Sequence, residues 1–379
     1  MAPVGVRARL GAQTAAAPVT PKNPAMTSPR DTPQTEIIQS HYLDVLRGVA
    51  ALVVMVSHAD HAGLMQITMD TSLKVFLGRF GVYLFFILSG FLIWRSAQGI
   101  RRVGGLATYG IHRVTRLVPL YLVNIAFVVW ALPHFESAFQ AQVTLETLVR
   151  HLTFTQDLNP SVSRDLNPVL WTLTHEVVFY ALVPLLRLLP TALLPLLGAA
   201  AIVLAWTPST ISSFLILFHL FTIGILVAER RVVWAGLALL VFTAMQATSQ
   251  PYAAEEVAAR LVAGGLFLAA LAAPARGQWL SAPLQWVGVM SFSLYIWHYL
   301  FINILGTQTG LRALHRLSFG GSANDWVRGG LFVAMAMGIS AASYHLIERP
   351  GMGPLRRWLM ARLVRSRVRA PTVPKDVNP

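Results

Sequence analysis

Arg47 and His58 stand eleven residues apart on one apolar stretch, with no charged residue between them. At helical rise that separation is roughly 16 Å, about half of a ~30 Å hydrocarbon core. Arg47 is therefore expected near one membrane interface and His58 near the midplane. An ionisable group inside a membrane is costly unless it is paired or wetted, so both residues read as a site before they read as packing. An imidazole there suits a general base that takes a proton from a hydroxyl; the simpler reading is a hydrogen bond to a neighbouring helix. Arg47 follows Asp44 by three residues on the same helix face. That spacing suits a local ion pair as well as an anionic ligand.

Other residues carry the same double reading. Glu176 lies in an apolar stretch that begins at Trp171, preceded by His175 and followed by Val177, and intramembrane carboxylates are rare enough to presume function. Arg113 and Arg116, three apart, precede the third apolar stretch; guanidinium forks there suit phosphates, or they mark topology alone. Ser89 and Gly90 form a small-residue surface for helix packing, with Ser89 also able to line a site. Tyr295 and His298 share a helix face and could line a substrate path or bond across helices. Asp60 is two residues from His58 and so does not face it. Glu348, Arg349 and Pro350 suit a structural ion pair and a helix stop. The remaining histidines show no metal-ligand spacing, and no metal site is expected.

These residues need an apolar scaffold, and the composition supplies one. The chain has 379 residues, 55% hydrophobic and only 12% charged, with a mean hydropathy of +0.57. That predicts an all-α polytopic membrane protein, with its membrane region as one domain over 41–350. The apolar runs are continuous rather than alternating, which excludes an outer-membrane barrel. With no cysteine, disulfides and thiolate catalysis are excluded. Ten segments are expected to span: 42–60, 76–94, 117–132, 169–187, 191–206, 211–228, 232–248, 257–274, 285–305 and 328–347. With both termini cytoplasmic, 22 of the 30 Lys and Arg fall inside, as the positive-inside rule requires. The net charge of +14 is thus read as topology, without a nucleic-acid partner. Residues 1–40 read as a disordered tail, with Met26 an equally good start. Residues 351–379 read as a basic amphipathic tail on the anionic inner leaflet, with membrane lipids as partners.

Six segments, ordered along the chain, resemble the acyltransferase-3 family of integral-membrane enzymes. They are Arg47 and His58 with ten residues between them; Phe85 to Phe91; Arg113 with Arg116 and Pro119; Trp171 through Glu176 to Tyr180; Ser293 to His298; and Tyr344 to Pro350. The family usually carries two adjacent acidic residues where this chain has Glu176 and Val177, which puts any role needing both carboxylates in doubt. The resemblance implies acyl transfer to hydroxyls of extracytoplasmic glycans or natural products. It implies His58 and Glu176 as catalytic residues and Arg47, Arg113 and Arg116 as acyl-donor ligands. Ser89, Trp171, Tyr295 and His298 would line the site or the acceptor path.

The reading is a bacterial inner-membrane O-acyltransferase with acyl-CoA, most simply acetyl-CoA, as co-substrate and no permanently bound cofactor. The implied acceptor is a glycan, a lipid-linked saccharide or a macrolide-type hydroxyl. A proton-coupled transporter of a small anionic solute is the rival class, since intramembrane His, Glu and Arg would serve it too; no half-to-half repeat supports it. A non-catalytic membrane sensor would keep the spans and survive loss of His58.

Overall fold

The computed structural model describes residues 33–64, 69–131, 143–207, 211–249, 254–272, 282–305 and 323–365. The expected terminal tails lie mostly outside them: 1–32 and 366–379. Among the described residues every regular element is helical. The helices are α1 (Pro33–His61), α2 (Thr71–Ser96), α3 (Gly105–Ala131), α4 (Leu145–Leu152), α5 (Trp171–Leu186), α6 (Leu194–Leu204), α7 (Ser212–Ala228), α8 (Val232–Ser249), α9 (Ala254–Ala272), α10 (Ala282–Val289), α11 (Ser291–Leu305) and α12 (Ala323–Ser343).

Each expected span falls on a helix, but the crossings are not uniform. Five helices are long and apolar enough to cross a membrane, and α10 with α11, bent by 76°, would make a sixth. Helices α6, α7 and α8 are apolar but shorter, and α9 carries Glu255, Glu256 and Arg260. The ninth expected span is therefore two helices broken at Met290.

α2 is the centre of the bundle and packs against α1, α7 and α9. Its inward residues Leu84, Ile87 and Leu88 are at most 1% exposed. Two crossings depend on glycine because backbone meets backbone. A Cβ on Gly90 of α2 would lie 2.3 Å from the Phe221 carbonyl oxygen of α7, and one on Gly224 would lie 2.1 Å from that of Ile87. Gly48 of α1 and Gly288 of α10 meet in the same way, a Cβ on Gly288 lying 1.7 Å from the Asp44 carbonyl oxygen. Small residues at such contacts allow helices in an apolar solvent to gain van der Waals packing.

Three boundaries differ from the sequence expectation, each for a physical reason. α3 begins at Gly105, so Arg113 and Arg116 sit inside the helix rather than before it; hydropathy marks a span only where charges stop. α1 ends at His61, and Gly63 follows with φ 72°. His58 therefore lies in the last turn of α1, about 4.5 Å along the axis from its end, and not halfway along the span. Pro350 does not stop the last helix. The helix runs on from Val327 to Val364 through π-type turns at 344–348, 351–355 and 361–365, a local widening that accommodates a missing proline donor. Its 351–364 part packs on the N-terminal half of α3 and leaves Leu355, Trp358 and Leu363 exposed. Arg356 donates to Thr115 Oγ1 at 3.3 Å, and a Cβ on Gly351 would meet the Thr115 carbonyl at 2.7 Å. Glu348 accepts a hydrogen bond from Ser293 at 2.8 Å, which replaces the expected local ion pair.

The crossing of α2 and α7 yields a stability prediction. Gly90→Ala should cost about 1–3 kcal/mol through overpacking, seen as a lower Tm in detergent. Gly236→Ala, on α8 with nothing within 4 Å of the added Cβ, should leave Tm unchanged. Equal Tm values for the two variants would contradict the close crossing.

Candidate active site

A cavity with about 860 Å³ of empty space, its open side included, runs along α2 from Val82 to Ile93. Eleven residues of α2 correspond to roughly 16 Å, the same length as the Arg47-to-His58 interval on α1. Phe85, Phe86, Leu88, Leu92, Leu117, Leu173 and Phe292 make most of it apolar. Arg47 from α1, Arg113 and Arg116 from α3, and Glu176 and Tyr180 from α5 supply its charged and polar wall. Ser291 and Phe292 enter it directly after the break between α10 and α11. Broken helices are tolerated in membrane proteins where the freed backbone borders such a cavity.

The arginines are held in three different ways. Arg47 donates to Asp44 Oδ1 at 3.3 Å, as the i, i+3 spacing led one to expect. Arg113 donates to Ser96 Oγ at the end of α2, and its guanidinium lies 5.5 Å from the Tyr109 ring and 5.2 Å from the Tyr180 ring. Arg116, one turn further into the bundle, makes no hydrogen bond or ion pair with a described residue. It lies within electrostatic range of Arg47, which Glu176 attracts, and of Glu348. Glu176 accepts the Tyr180 hydroxyl one turn along its own helix. Three guanidinium groups against one carboxylate leave the lining cationic, and guanidinium forks match phosphate and carboxylate anions.

At the other end of α1, His58 Nδ1 is 2.9 Å from His298 Nε2 of α11. The two rings lie 3° from parallel, and the Tyr299 ring stands edge-on to His58 at 5.2 Å. His298 Nδ1 is 3.1 Å from the Leu294 carbonyl oxygen. His58 is half-buried, whereas His298 is 0% exposed. One turn before His58, Val54 packs with Tyr295 and Val82, both of which line the cavity. Tyr295, which lines the cavity, also neighbours both Phe85 and His298, with ring centroids 5.9 Å apart in each case. Tyr295 is held there by its hydroxyl, 2.9 Å from Thr172 Oγ1 and 2.9 Å from the Val169 carbonyl.

Of the residues singled out from sequence, Arg47, Ser89, Arg113, Arg116, Glu176 and Tyr295 line one cavity. His58, Trp171 and His298 do not. Trp171 instead packs against Phe86, with ring centroids 6.5 Å apart, and His298 contacts His58. His175 turns away from Glu176 and places Nε2 3.5 Å from Asp157 Oδ2. Asp60 pairs with Lys74 at 2.9 Å. Sequence reasoning missed Thr172, Ser96 and the role of Tyr180, although the i, i+4 spacing of Tyr180 from Glu176 was a usable signal. It also missed Asn167, whose buried amide donates to Asn124 at 3.2 Å and to the Ile296 carbonyl at 2.9 Å. Those two bonds tie the approach to α5 to α3 and α11.

Among the described residues no group of three or more His, Cys, Asp or Glu could hold a metal ion. No curated protein and no solved structure matches the sequence. The family model of acyltransferase-3, an acyltransferase domain, matches residues 40–345. That match takes in Arg47, His58, the three-spaced arginines of α3, Glu176, Tyr295 and His298, so the chain belongs to the acyltransferase-3 family.

Proposed function

We propose that this membrane acyltransferase moves an acyl group, most simply acetyl, from acyl-CoA to a hydroxyl of an extracytoplasmic glycan or related acceptor. The observation that carries the donor assignment is the cationic end of an otherwise apolar cavity. Phosphates of coenzyme A would meet Arg113 and Arg116 near one face, with Arg47 beside them. The pantetheine arm, long and weakly polar, fits the apolar walls along α2. The thioester would then point toward His58. Membership of the acyltransferase-3 family supports the chemistry, and the excess of Lys and Arg on one side of the spans supports placing that face in the cytoplasm of a bacterial inner membrane.

The acceptor would approach from the His58 end. His58 takes the hydroxyl proton as the acceptor oxygen attacks the thioester carbonyl. The carbon–sulfur bond breaks, the coenzyme A thiolate leaves and takes the proton, and an ester forms. Tyr295 and Phe85 have to move aside for the thioester to meet the base. Glu176, bonded to Tyr180, balances part of the arginine charge and orients the wall of the donor cavity. In this reading its contribution is electrostatic, which a single carboxylate can supply without an acidic neighbour.

Two outcomes follow. Inverted vesicles containing the protein and native acceptors should transfer label from isotope-labelled acetyl-CoA into a base-labile ester. His58→Ala at matched folded expression should lower that transfer by about 100-fold or more, the usual scale of general acid–base catalysis; equal labelling by both proteins would remove His58 from the mechanism. Arg116→Ala should raise KM for acetyl-CoA by roughly 10- to 100-fold, because a charge-assisted contact is worth about 1.5–3 kcal/mol. An unchanged KM would place the phosphates elsewhere.

A further inference from the structure

The second histidine does not line the donor cavity, yet it constrains the first. A carbonyl oxygen only accepts, so His298 Nδ1, 3.1 Å from Leu294 O, carries the proton of that hydrogen bond. A neutral His298 then presents Nε2 as an acceptor. The atom 2.9 Å away is His58 Nδ1, which must donate. His58 is thereby held with its proton on Nδ1 and its lone pair on Nε2. That Nε2 has no hydrogen-bond partner among the described residues, and His58 is half-buried rather than enclosed. The chain of bonds from Leu294 through His298 to His58 runs in one direction because its first member is a backbone group that cannot change role.

We propose that His298 is a positioning residue that fixes the tautomer and ring plane of His58, leaving Nε2 as the atom that receives the acceptor proton. The inference rests on His58 acting as the base. When Nε2 takes up the proton, the imidazolium keeps donating Nδ1–H to His298, now as a charge-assisted and therefore stronger hydrogen bond. The proton stays on His58 until the coenzyme A thiolate collects it, so His298 gains and loses none. Full burial of His298 keeps both substrates off it, which replaces the expected place on the acceptor path. The near-parallel rings and the edge-on Tyr299 hold the His58 ring in the plane this requires.

The two amide side chains separate this role from mere packing. In His298→Gln the amide oxygen can reach the position of Nε2 and accept from His58. In His298→Asn the side chain reaches only the position of Nδ1 and leaves His58 unpartnered. Acetyl transfer should fall by about 100-fold in kcat for His298→Asn, with KM for acetyl-CoA within about twofold, and stay within about tenfold of wild type for His298→Gln. Equal activity of two folded variants, whether both active or both inactive, would overturn the proposal. Should His298→Asn not fold, histidine 15N spectra of the wild-type protein in bilayers decide. The His58 signal, assigned by its absence in His58→Ala, should show the proton on Nδ1, and a proton on Nε2 would overturn the proposal. Wild-type rates in His58→Ala would instead refute the base assignment itself.

Discussion

An ionisable side chain inside an apolar bundle must be paired, wetted or neutral, and that constraint sorts the charged residues of this protein into two kinds. One kind joins helices. Lys74 meets Asp60 at 2.9 Å and ties α2 to α1. Glu256 of α9 takes Arg79 of α2 and Arg260 of its own helix, each at 3.3 Å. Arg187 lies 3.9 Å over the Trp94 ring and 3.3 Å from Glu229, which also accepts from the Trp94 indole. The other kind faces a cavity. Among the described residues Arg116 has no such partner, and Arg113 is steadied by a hydroxyl and two aromatic faces. Cations only partly balanced by nearby carboxylates are suited to a ligand that brings negative charge.

The same constraint explains the separation of tasks along one axis. The arginines gather where α2 ends and α3 begins, while the histidine pair sits in the last turn of α1 and on α11. A donor with an anionic head and a neutral arm suits this division, because the head needs cations and the arm needs only apolar walls. Tyr295 stands between the two groups, lining the cavity on one side and neighbouring His298 on the other, with ring centroids 5.9 Å apart.

Much of this was legible in the sequence, and the exceptions are instructive. Arg47 and His58 announced themselves as charged or titratable groups in an apolar run, and three arginines, Glu176 and Tyr295 do meet in one cavity. Helix positions were legible because apolar runs are long. The start of α3 was not, since hydropathy treats Arg113 and Arg116 as ends, while a serine hydroxyl and aromatic faces let Arg113 sit within a helix. The continuation past Pro350 was equally hidden, because its contacts with Thr115 are made more than 230 residues away in sequence. The pairing of His58 with His298 lies beyond local pattern altogether: 240 residues separate them, and only the tertiary fold brings α1 and α11 together.

The absence of cysteine from the whole chain makes one measurement especially direct. Ser89→Cys would place a single thiol in the wall of the cavity, and its alkylation rate in membranes can be followed with and without acetyl-CoA. If the cavity holds the donor, saturating acetyl-CoA should slow alkylation about tenfold or more, as occupancy requires, and Arg116→Ala in the same background should weaken that protection. An alkylation rate that acetyl-CoA leaves unchanged, in a protein that still transfers acyl groups, would contradict the assignment of this cavity to the donor.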